Sequence, residues 1–560
     1  MLRQCSFALL AILCVTFFSS SLFAQGGVRA SIPVDKIEAE KWRADLRVLA
    51  EEMPKRHQNL FHAMTREQFE MAVKELDEKI PTLAPHQIIV GLGRIVAMAQ
   101  DGHTGLMFPF PDPKLRFRSY PLTLYIFRDG MFVQAADPEH AGTVGARVLK
   151  IGNASADEAY RAVRELTFHD HNNEMGMKNA APFLLVTPEV LQAVGIVEDM
   201  EKAQFTLERD GKQMTVELKP TERVIPQGGH WSNLQPKGWV DMRDVAKLPT
   251  PLWLKDPDNT FWYEYLEDSK TVYAQVNGIA NKEDETLAQF AERLFAFVDS
   301  HAVERLVLDL RWNGGGNNYL NRPLVVGLIK SKINQRGHLF TVTSRRTFSA
   351  AQNLVNELEK YTETIFVGEP TGENVNFYGD PARIALPNSG LVVRASGLWW
   401  QNMDPRDRRQ WTGPEIAAEM TSEDYRNNVD PAMKAILGYG SKKNLTEMLS
   451  EALSKNDAAL AAKEFREFKN DPANAYRDTE ALMNTFGYQL MGAKRLNDAI
   501  EVFKLNVEAY PQSSNVYDSL GEAYMNAGSK ELAIKNYEKS IELNPQNFGG
   551  IEMLKKLRAK

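Results

Sequence analysis

The sequence predicts an α+β multidomain protein: a helical cap, a small β domain, an α/β core and an all-α repeat domain at the C-terminus. Three observations predict it. Strands and helices alternate from about Phe261 to Leu437. Short strands separated by Asp-Gly turns fill the stretch from about Tyr120 to Pro220. Near the C-terminus, four pairs of similar residues recur at a spacing of 34. A chain of 560 residues is long enough for several separate cores. The expected boundaries are a leader over 1–24, the cap over 30–117, the β domain over 118–225, the core over 226–440 and the repeats over 441–560.

The leader is read from Arg3, an uncharged stretch from Gln4 to Val28 with an apolar heart from Phe7 to Phe18, and the small residue Ala24 ahead of Gln25. This is the order of a signal peptide: a charged start, a short apolar segment, a small-residue exit. The segment is short for a bilayer span, which needs about 20 apolar residues. An uncleaved anchor is the alternative. Leu13 ahead of Cys14, where a small residue is needed, argues against a lipoprotein. Both cysteines, Cys5 and Cys14, fall in this leader. The mature chain then offers no disulfide framework, cysteine nucleophile or cysteine-ligated zinc. The reading is of a secreted or periplasmic protein of the bacterial envelope. No later segment has the length and apolarity of a membrane span.

In the cap, Ala39–Met53 and Arg66–Ile80 alternate apolar and charged residues with helical spacing, punctuated by Pro54, Pro81 and Pro85. A more buried helix, Ile88–Met98, ends just before Asp101-Gly102-His103-Thr104-Gly105. In the β domain, Leu122–Ile126 turns at Asp129-Gly130 into Met131–Val133. Gly145–Gly152 follows, then a helix near Ala156–Leu166. Phe205–Arg209 and Met214–Leu218 form a hairpin across Asp210-Gly211. The strand Gly145-Ala146-Arg147-Val148-Leu149-Lys150-Ile151-Gly152, the helix and the closing hairpin together resemble a PDZ domain, which adds a peptide strand to a sheet edge.

The core reads as a strand at Val272–Val276, a helix at Glu283–Ser300, a continuous apolar strand at Arg305–Leu310, a strand at Leu339–Thr343, a helix at Ala350–Lys360 and a strand at Thr364–Val367. At the C-terminus, Gly487, Ala499, Phe503 and Pro511 recur as Gly521, Ala533, Tyr537 and Pro545, each 34 residues on. That is the tetratricopeptide period, with small residues where two helices cross and aromatics filling the gap. Two repeats bury little alone, so Leu445–Phe468 is expected as a preceding unit and Gly550–Lys560 as a capping helix.

Two core segments carry chemistry. The strand ending at Leu310 runs into Arg311-Trp312-Asn313-Gly314-Gly315-Gly316, where bare backbone N–H groups can hold an anion or a developing oxyanion. Without a following Gly-Lys-Ser/Thr it is not a phosphate loop. A tight turn with positive φ explains the glycines equally. In Thr347-Phe348-Ser349-Ala350-Ala351-Gln352 a serine opens a helix, placed to aim its hydroxyl into a cleft. Ser349 with Gln352 also spells a capping box.

Taken in order with Val367-Gly368-Glu369-Pro370-Thr371-Gly372, these segments resemble the tail-specific (C-terminal processing) and tricorn-like serine peptidases over roughly residues 35 to 437. The resemblance implies Ser349 as nucleophile. It implies the Ala350 N–H and that of Gly315 or Gly316 as the oxyanion hole. The tail-specific branch carries a lysine base shortly after this Gly-Glu-Pro-Thr element, but here the stretch reads Gly372-Glu373-Asn374-Val375-Asn376, and no lysine lies between Tyr361 and Met433. The tricorn-like branch uses a cap histidine, matched here by His103, with Gly102 where that branch has a serine. Neutral imidazole suits a base near pH 7. For the acid that orients it, the resemblance points to the stretch Trp399–Ile416, with Asp404, Asp407 and Glu415, and Asp407 nearest the family position.

Other readings are plainer. His169-Asp170-His171 with Glu174 can be read as a metal site, but alternate polar residues in a loop form a solvated turn more often, so no metal and no cofactor are expected. His57 and His62 are expected to be structural. With 66 basic against 73 acidic residues, the chain lacks the cationic surplus of a nucleic-acid binder. Two functions remain. One is an exported serine peptidase acting on peptides or proteins by acyl transfer, with a protein partner held at the repeats. The other is a catalytically silent binding protein that uses the PDZ-like and tetratricopeptide surfaces.

Overall fold

The computed structural model describes residues 37–109, 117–222, 236–440 and 443–559. The expected leader and both cysteines lie outside the described residues. The protein is α+β, with helices at both ends and three sheets between them.

The cap helices are Ala39–Arg56, Arg66–Lys79 and Pro85–Ala97. Thr65 and Gln68 close a reciprocal capping box on the second. The third buries most of its surface, as its apolar run requires. The sheet that follows has seven antiparallel strands and includes the expected hairpin, Ala203–Arg209 with Lys212–Leu218, in register from Ala203↔Leu218 to Arg209↔Lys212. The helix Ala156–Arg164 lies beside it, opened by a capping box of Ser155 and Glu158. Cap and sheet share one continuous core: Trp42, Leu49 and Ile89 from the helices, Val133 and Phe205 from the strands. No gap in packing separates them at the expected 117/118 boundary.

That core extends into a long hairpin, Asn376–Ala385 with Val392–Gln401, whose Val393 and Ala395 belong to it. The sequence pattern predicts no strands there. Buried Asp45 of the first helix caps the hairpin turn, accepting the N–H groups of Asn388 and Ser389 at 2.8 Å each.

The α/β core is built on a six-stranded sheet in the order Ile416–Ala417, Ile365–Gly368, Leu339–Thr343, Arg305–Asp309, Thr271–Val276, Phe261–Leu266. All neighbours are parallel except the last pair. The strands are apolar on both faces, as parallel strands covered on both sides must be. Val272, Leu306 and Leu308 pack with the helices Leu287–Ser300 and Ala350–Tyr361. Tyr273, Val307, Phe340 and Val342 pack on the other face with Ile436 of Pro431–Leu437. Three consecutive parallel strands thus open loops at one sheet edge, the place where open α/β sheets bind ligands.

The C-terminal region is all helical, from Leu445–Ser454 to Phe548–Ala559, and its core is its own. The helix pair Leu445–Ser454 and Ala458–Asn470 stands where the extra unit was expected. At the crossing of the next pair a Cβ on Gly487 would lie 2.5 Å from the Phe503 ring, so only glycine lets the aromatic close the gap. Among the described residues no helix is long and apolar enough to cross a membrane.

Candidate active site

The three loops at the C-terminal ends of Arg305–Asp309, Leu339–Thr343 and Ile365–Gly368 converge. The first is the glycine turn. Gly315 has φ +104°, and a Cβ there would lie 2.6 Å from Ser349 Cβ and 2.9 Å from the Phe348 carbonyl oxygen. Glycine is therefore demanded twice, by conformation and by contact. The Gly315 N–H donates to Asn313 Oδ1 at 3.0 Å. Among the described residues no hydrogen bond takes the N–H of Gly316 or of Ala350.

The second loop carries Ser349. Its φ of 58° and ψ of −126° lie outside the regions that side-chain-bearing residues favour, and its side chain makes no cap bond to the helix it opens. The capping-box reading therefore fails, and Gln352 bonds instead to Asn356 and Thr412. Such strain persists only where the surroundings over-determine it, and it gathers at functional sites. Here it aims the hydroxyl at the cap: Ser349 Oγ is 3.0 Å from His103 Nε2.

His103 reaches the cleft because the short strand Gly105–Leu106 pairs with the long hairpin, Gly105↔Arg394 and Leu106↔Val393. Asp101 fixes the turn before it. Its Oδ1 accepts the His103 N–H at 2.8 Å, and its Oδ2 binds the Thr104 hydroxyl at 2.6 Å and His57 Nε2 at 2.9 Å. Burial alone would raise the Asp101 carboxyl, but the His57 hydrogen bond and the nearby His103 hold it below its ordinary value. His57 is thus a structural partner, as expected. The imidazole of His103 stacks against Phe348 at 4.6 Å and Phe377 at 5.9 Å. Burial pushes its pKa below 6.5, against the pull of Asp101 and Asp170. Gly102 is set by the same packing, since a Cβ would lie 2.8 Å from the Phe348 ring.

The third loop brings a carboxylate to the imidazole, and it is not Asp407 but Glu373. Glu373 Oε1 lies 3.0 Å from His103 Nδ1, and neither of these buried atoms makes a hydrogen bond elsewhere. Glu373 Oε2 accepts the Ser349 N–H. The side chain is fully buried, which raises its pKa well above that of an ordinary glutamate. Asp407 is elsewhere. Its carboxylate is closed by Arg409, two residues on, at 2.8 Å, and Arg409 also holds Glu359. Asp404 is taken by Arg406 and Glu415 by Arg336. Each carboxylate of that stretch has a surface arginine within reach, and none is left for the imidazole.

Asp170 also departs from expectation. It does not sit in a solvated turn but is buried, with Oδ1 accepting the Gly102 N–H and Oδ2 the Asn374 N–H, both at 2.8 Å. It ties the residue before His103 to the residue after Glu373. Burial, with Glu373 and Asp101 nearby, raises its pKa well above the usual value. His169 is buried with its Nδ1 2.9 Å from the Thr167 carbonyl, and exposed His171 bonds to Gln100. These side chains do not converge on a common point as metal ligands would.

The Gly-Glu-Pro-Thr element is structural. Glu369 receives Arg345 Nε at 3.0 Å and Nη2 at 2.7 Å, locking the chain that leads to Ser349, and Arg345 Nη1 reaches the Ile126 carbonyl of the seven-stranded sheet at 2.8 Å.

Residues 514–547 match the tetratricopeptide repeat family. Over 75% of its length the chain is similar to 99% of mature CPAF, whose structure was solved with lactacystin, at 13% identity and a TM-score of 0.49. The photosystem II D1 C-terminal processing protease matches 71% of this chain with 96% of its own, at 12% identity and a TM-score of 0.34. A Bacteroides fragilis NCTC 9343 protein described as an S41 protease matches 70% with 96% of its own, at 14% and 0.31. A comparison with curated proteins finds no match.

Proposed function

We propose that the protein is an exported serine peptidase that hydrolyses peptide bonds by acyl transfer, with Ser349 as nucleophile, His103 as general base and Glu373 as the acid that orients it. The observation that carries this reading is the continuous line Ser349 Oγ, His103 Nε2, His103 Nδ1, Glu373 Oε1, with both gaps at 3.0 Å. Serine is a weak nucleophile until a neighbour takes its proton, and an imidazole kept neutral by burial is suited to do so.

In this reading Ser349 Oγ attacks the scissile carbonyl carbon while its proton passes to His103 Nε2. The oxyanion is met by the Ala350 and Gly316 N–H groups. Gly315, its own N–H turned to Asn313, shapes the turn instead of donating. Collapse of the tetrahedral species breaks the C–N bond, and His103 protonates the departing amine. Water, deprotonated by the same imidazole, then hydrolyses the ester. Glu373 holds the Nδ1–H tautomer throughout, and no step calls for a metal or cofactor.

The seven-stranded sheet is proposed as the PDZ-like part that presents an extended peptide, and the repeats as the seat of a protein partner. Export rests on Arg3, the apolar Phe7–Phe18 segment and Ala24. The test is a fluorophosphonate probe on the purified protein, followed by peptide mapping, beside hydrolysis of an unfolded protein substrate. Label on Ser349, and loss of label and hydrolysis together in Ser349→Ala, is the expected result. An unlabelled Ser349 in a protein without hydrolytic activity would leave the binding-protein reading.

A further inference from the structure

Behind the Ser349 loop is a cavity of about 70 Å³, at the junction of the seven-stranded sheet, the core loops and the chain entering Pro431–Leu437. Its wall includes Tyr125, Trp253, Trp312, Ser344, Arg346 and Tyr425. A space of that size holds a few water-sized groups.

Arg346 is the feature that needs explaining. It is 8% exposed, and among the described residues its guanidinium has no carboxylate partner and no hydrogen-bond acceptor for the buried Nη1. It lies over the face of Trp312, 4.5 Å from the ring centre, and Trp312 stacks in turn on Trp253 at 5.6 Å. The other ions of the cavity wall are already matched, and Glu419, between the lining residues Ala418 and Met420, accepts a hydrogen bond from the Tyr476 hydroxyl. Arg311 is closed by Asp309 at 2.8 Å and Asp430 at 3.0 Å, and Glu369 by Arg345 at 2.7 Å. One positive charge is therefore left over in a buried place. Burial pushes the Arg346 pKa down to about 9, with only the Tyr125 phenol opposing it. An uncompensated buried charge is costly, and buried charges are as a rule paired.

The second unpartnered atom has the same character. Of the residues lining the cavity, Arg346 and Trp253 carry buried side-chain polar atoms without a partner, Nη1 and Nε1, and both are donors. A cavity with spare donors, one spare positive charge and aromatic walls asks for a monoanion with a small apolar part. A planar carboxylate matches the guanidinium fork, whereas a dianion would bring more charge than the site offsets.

We propose that this cavity binds a small organic monocarboxylate, paired with Arg346, with the Trp253 indole N–H as second donor and the Trp253–Trp312 stack against its apolar part. The site is separate from the Ser349–His103–Glu373 line and does not depend on how that line is read. It shares a loop with it, though: Ser344 Oγ donates to the Arg311 carbonyl at 2.7 Å and Thr347 Oγ1 to the Leu310 carbonyl at 2.9 Å, on either side of Arg346. Filling the cavity therefore steadies the chain that holds Ser349.

The experiment is thermal unfolding and calorimetric titration of the full chain with sodium propionate replacing sodium chloride at constant ionic strength. Propionate should raise the melting temperature of the native protein. Arg346→Met should lose that rise and bind propionate about tenfold or more weakly, since a charge-assisted pair is gone. Without propionate Arg346→Met should be no less stable than the native protein, because the unpaired charge is gone. No propionate effect on the native protein, an equal effect on Arg346→Met, or the same effect from phosphate would each overturn the proposal. A short peptide that outcompetes propionate through its free C-terminus, but not when amidated, would overturn the small-acid assignment. Should Arg346→Met fail to fold, Arg346→Lys keeps the charge without the fork: weaker propionate binding is expected, and undiminished binding counts against the site.

Discussion

The Glu373 carboxylate accepts a hydrogen bond from the backbone N–H of Ser349, 24 residues earlier in the chain. One oxygen is thereby anchored to the residue whose hydroxyl faces His103, and the other is turned to the imidazole at 3.0 Å. The acid thus positions the serine backbone and the histidine ring together. Asp170 clamps the two loops from outside, through Gly102 and Asn374.

Glu373→Gln should therefore reduce kcat by about 10⁴-fold, the scale on which amide replacement of a triad acid acts. The amide nitrogen cannot accept the Nδ1–H, so the ring is driven to the tautomer that cannot take the serine proton. Asp407→Asn, which alters a partly exposed pair with Arg409 away from the imidazole, should leave kcat within a factor of about two. Steady-state kinetics on the two variants decides between the residues. Loss of activity in Asp407→Asn with retention in Glu373→Gln would reverse the assignment.

Ser349 makes no cap bond and holds a φ of 58°. Ser349→Ala should thus abolish hydrolysis without the loss of about 0.5–2 kcal/mol that a removed N-cap brings. Ser349→Gly should be inactive and as stable or more so, since glycine adopts this φ without strain and relief of such strain is worth about 1–3 kcal/mol. Denaturant unfolding checks both. A clear loss of stability in Ser349→Ala would show a structural role that the geometry does not reveal.

The elements with a strong local signal were legible in the sequence. Arg305–Asp309 and Leu339–Thr343 are strands where strands are expected, and Ala350–Tyr361 a helix, because apolar and β-branched runs and a helical period leave little choice. The 34-residue repeat was legible because each unit writes the same helix crossing, Gly487 against Phe503 and Gly521 against Tyr537. The long hairpin was missed: Asn376–Ala385 holds Gly379 and Pro381, which read as breakers, yet it is held by a partner strand. Of the candidate site, Ser349 and His103 were found through motifs. Glu373 was noticed only for not being lysine, although a loop after the third parallel strand returns to the edge where Ser349 sits. Asp170 was beyond reach, since its two bonds are to backbone groups 68 and 204 residues away.

Asp170→Asn should test the clamp. An amide keeps one acceptor where the carboxylate has two, so one of the two loops is released. Misplacement of catalytic groups by about an ångström costs about 10²-fold in rate, and kcat should fall by that order with KM little changed. Fluorophosphonate labelling of Ser349 should slow in parallel. Unaltered kcat in a folded Asp170→Asn would assign Asp170 to stability alone.

Glu369→Gln addresses the other buried pair. Glu369 neutralises Arg345, which burial would otherwise leave as an unpaired cation, and the pair holds the Glu369 carboxyl below its ordinary value even though burial opposes this. Removing one partner of a buried pair costs about 3–5 kcal/mol. A lower midpoint in denaturant with an unchanged acid limb of the pH profile is expected. A shifted limb would place Glu369 in the catalytic electrostatics.

The pH profile of kcat/KM should carry the signature of a buried histidine base. The base works when neutral, so activity is full above its pKa and falls as pH drops through it. Burial shifts His103 below 6.5, and Asp101 and Asp170 only partly restore it. The acid limb should therefore fall below pH 6.5, on the low side of an ordinary imidazole. A desolvated lysine base would place the limb at about pH 7–8. Glu373 sits against the same ring with a raised pKa, so the limb reports the pair and not one group. His103→Ala should remove most activity, and His103→Gln should not restore it, because a side-chain amide cannot take the serine proton. A limb above pH 7, or one that survives unchanged in His103→Ala, would assign the base to another group and leave the 3.0 Å contact with Ser349 Oγ without a catalytic role.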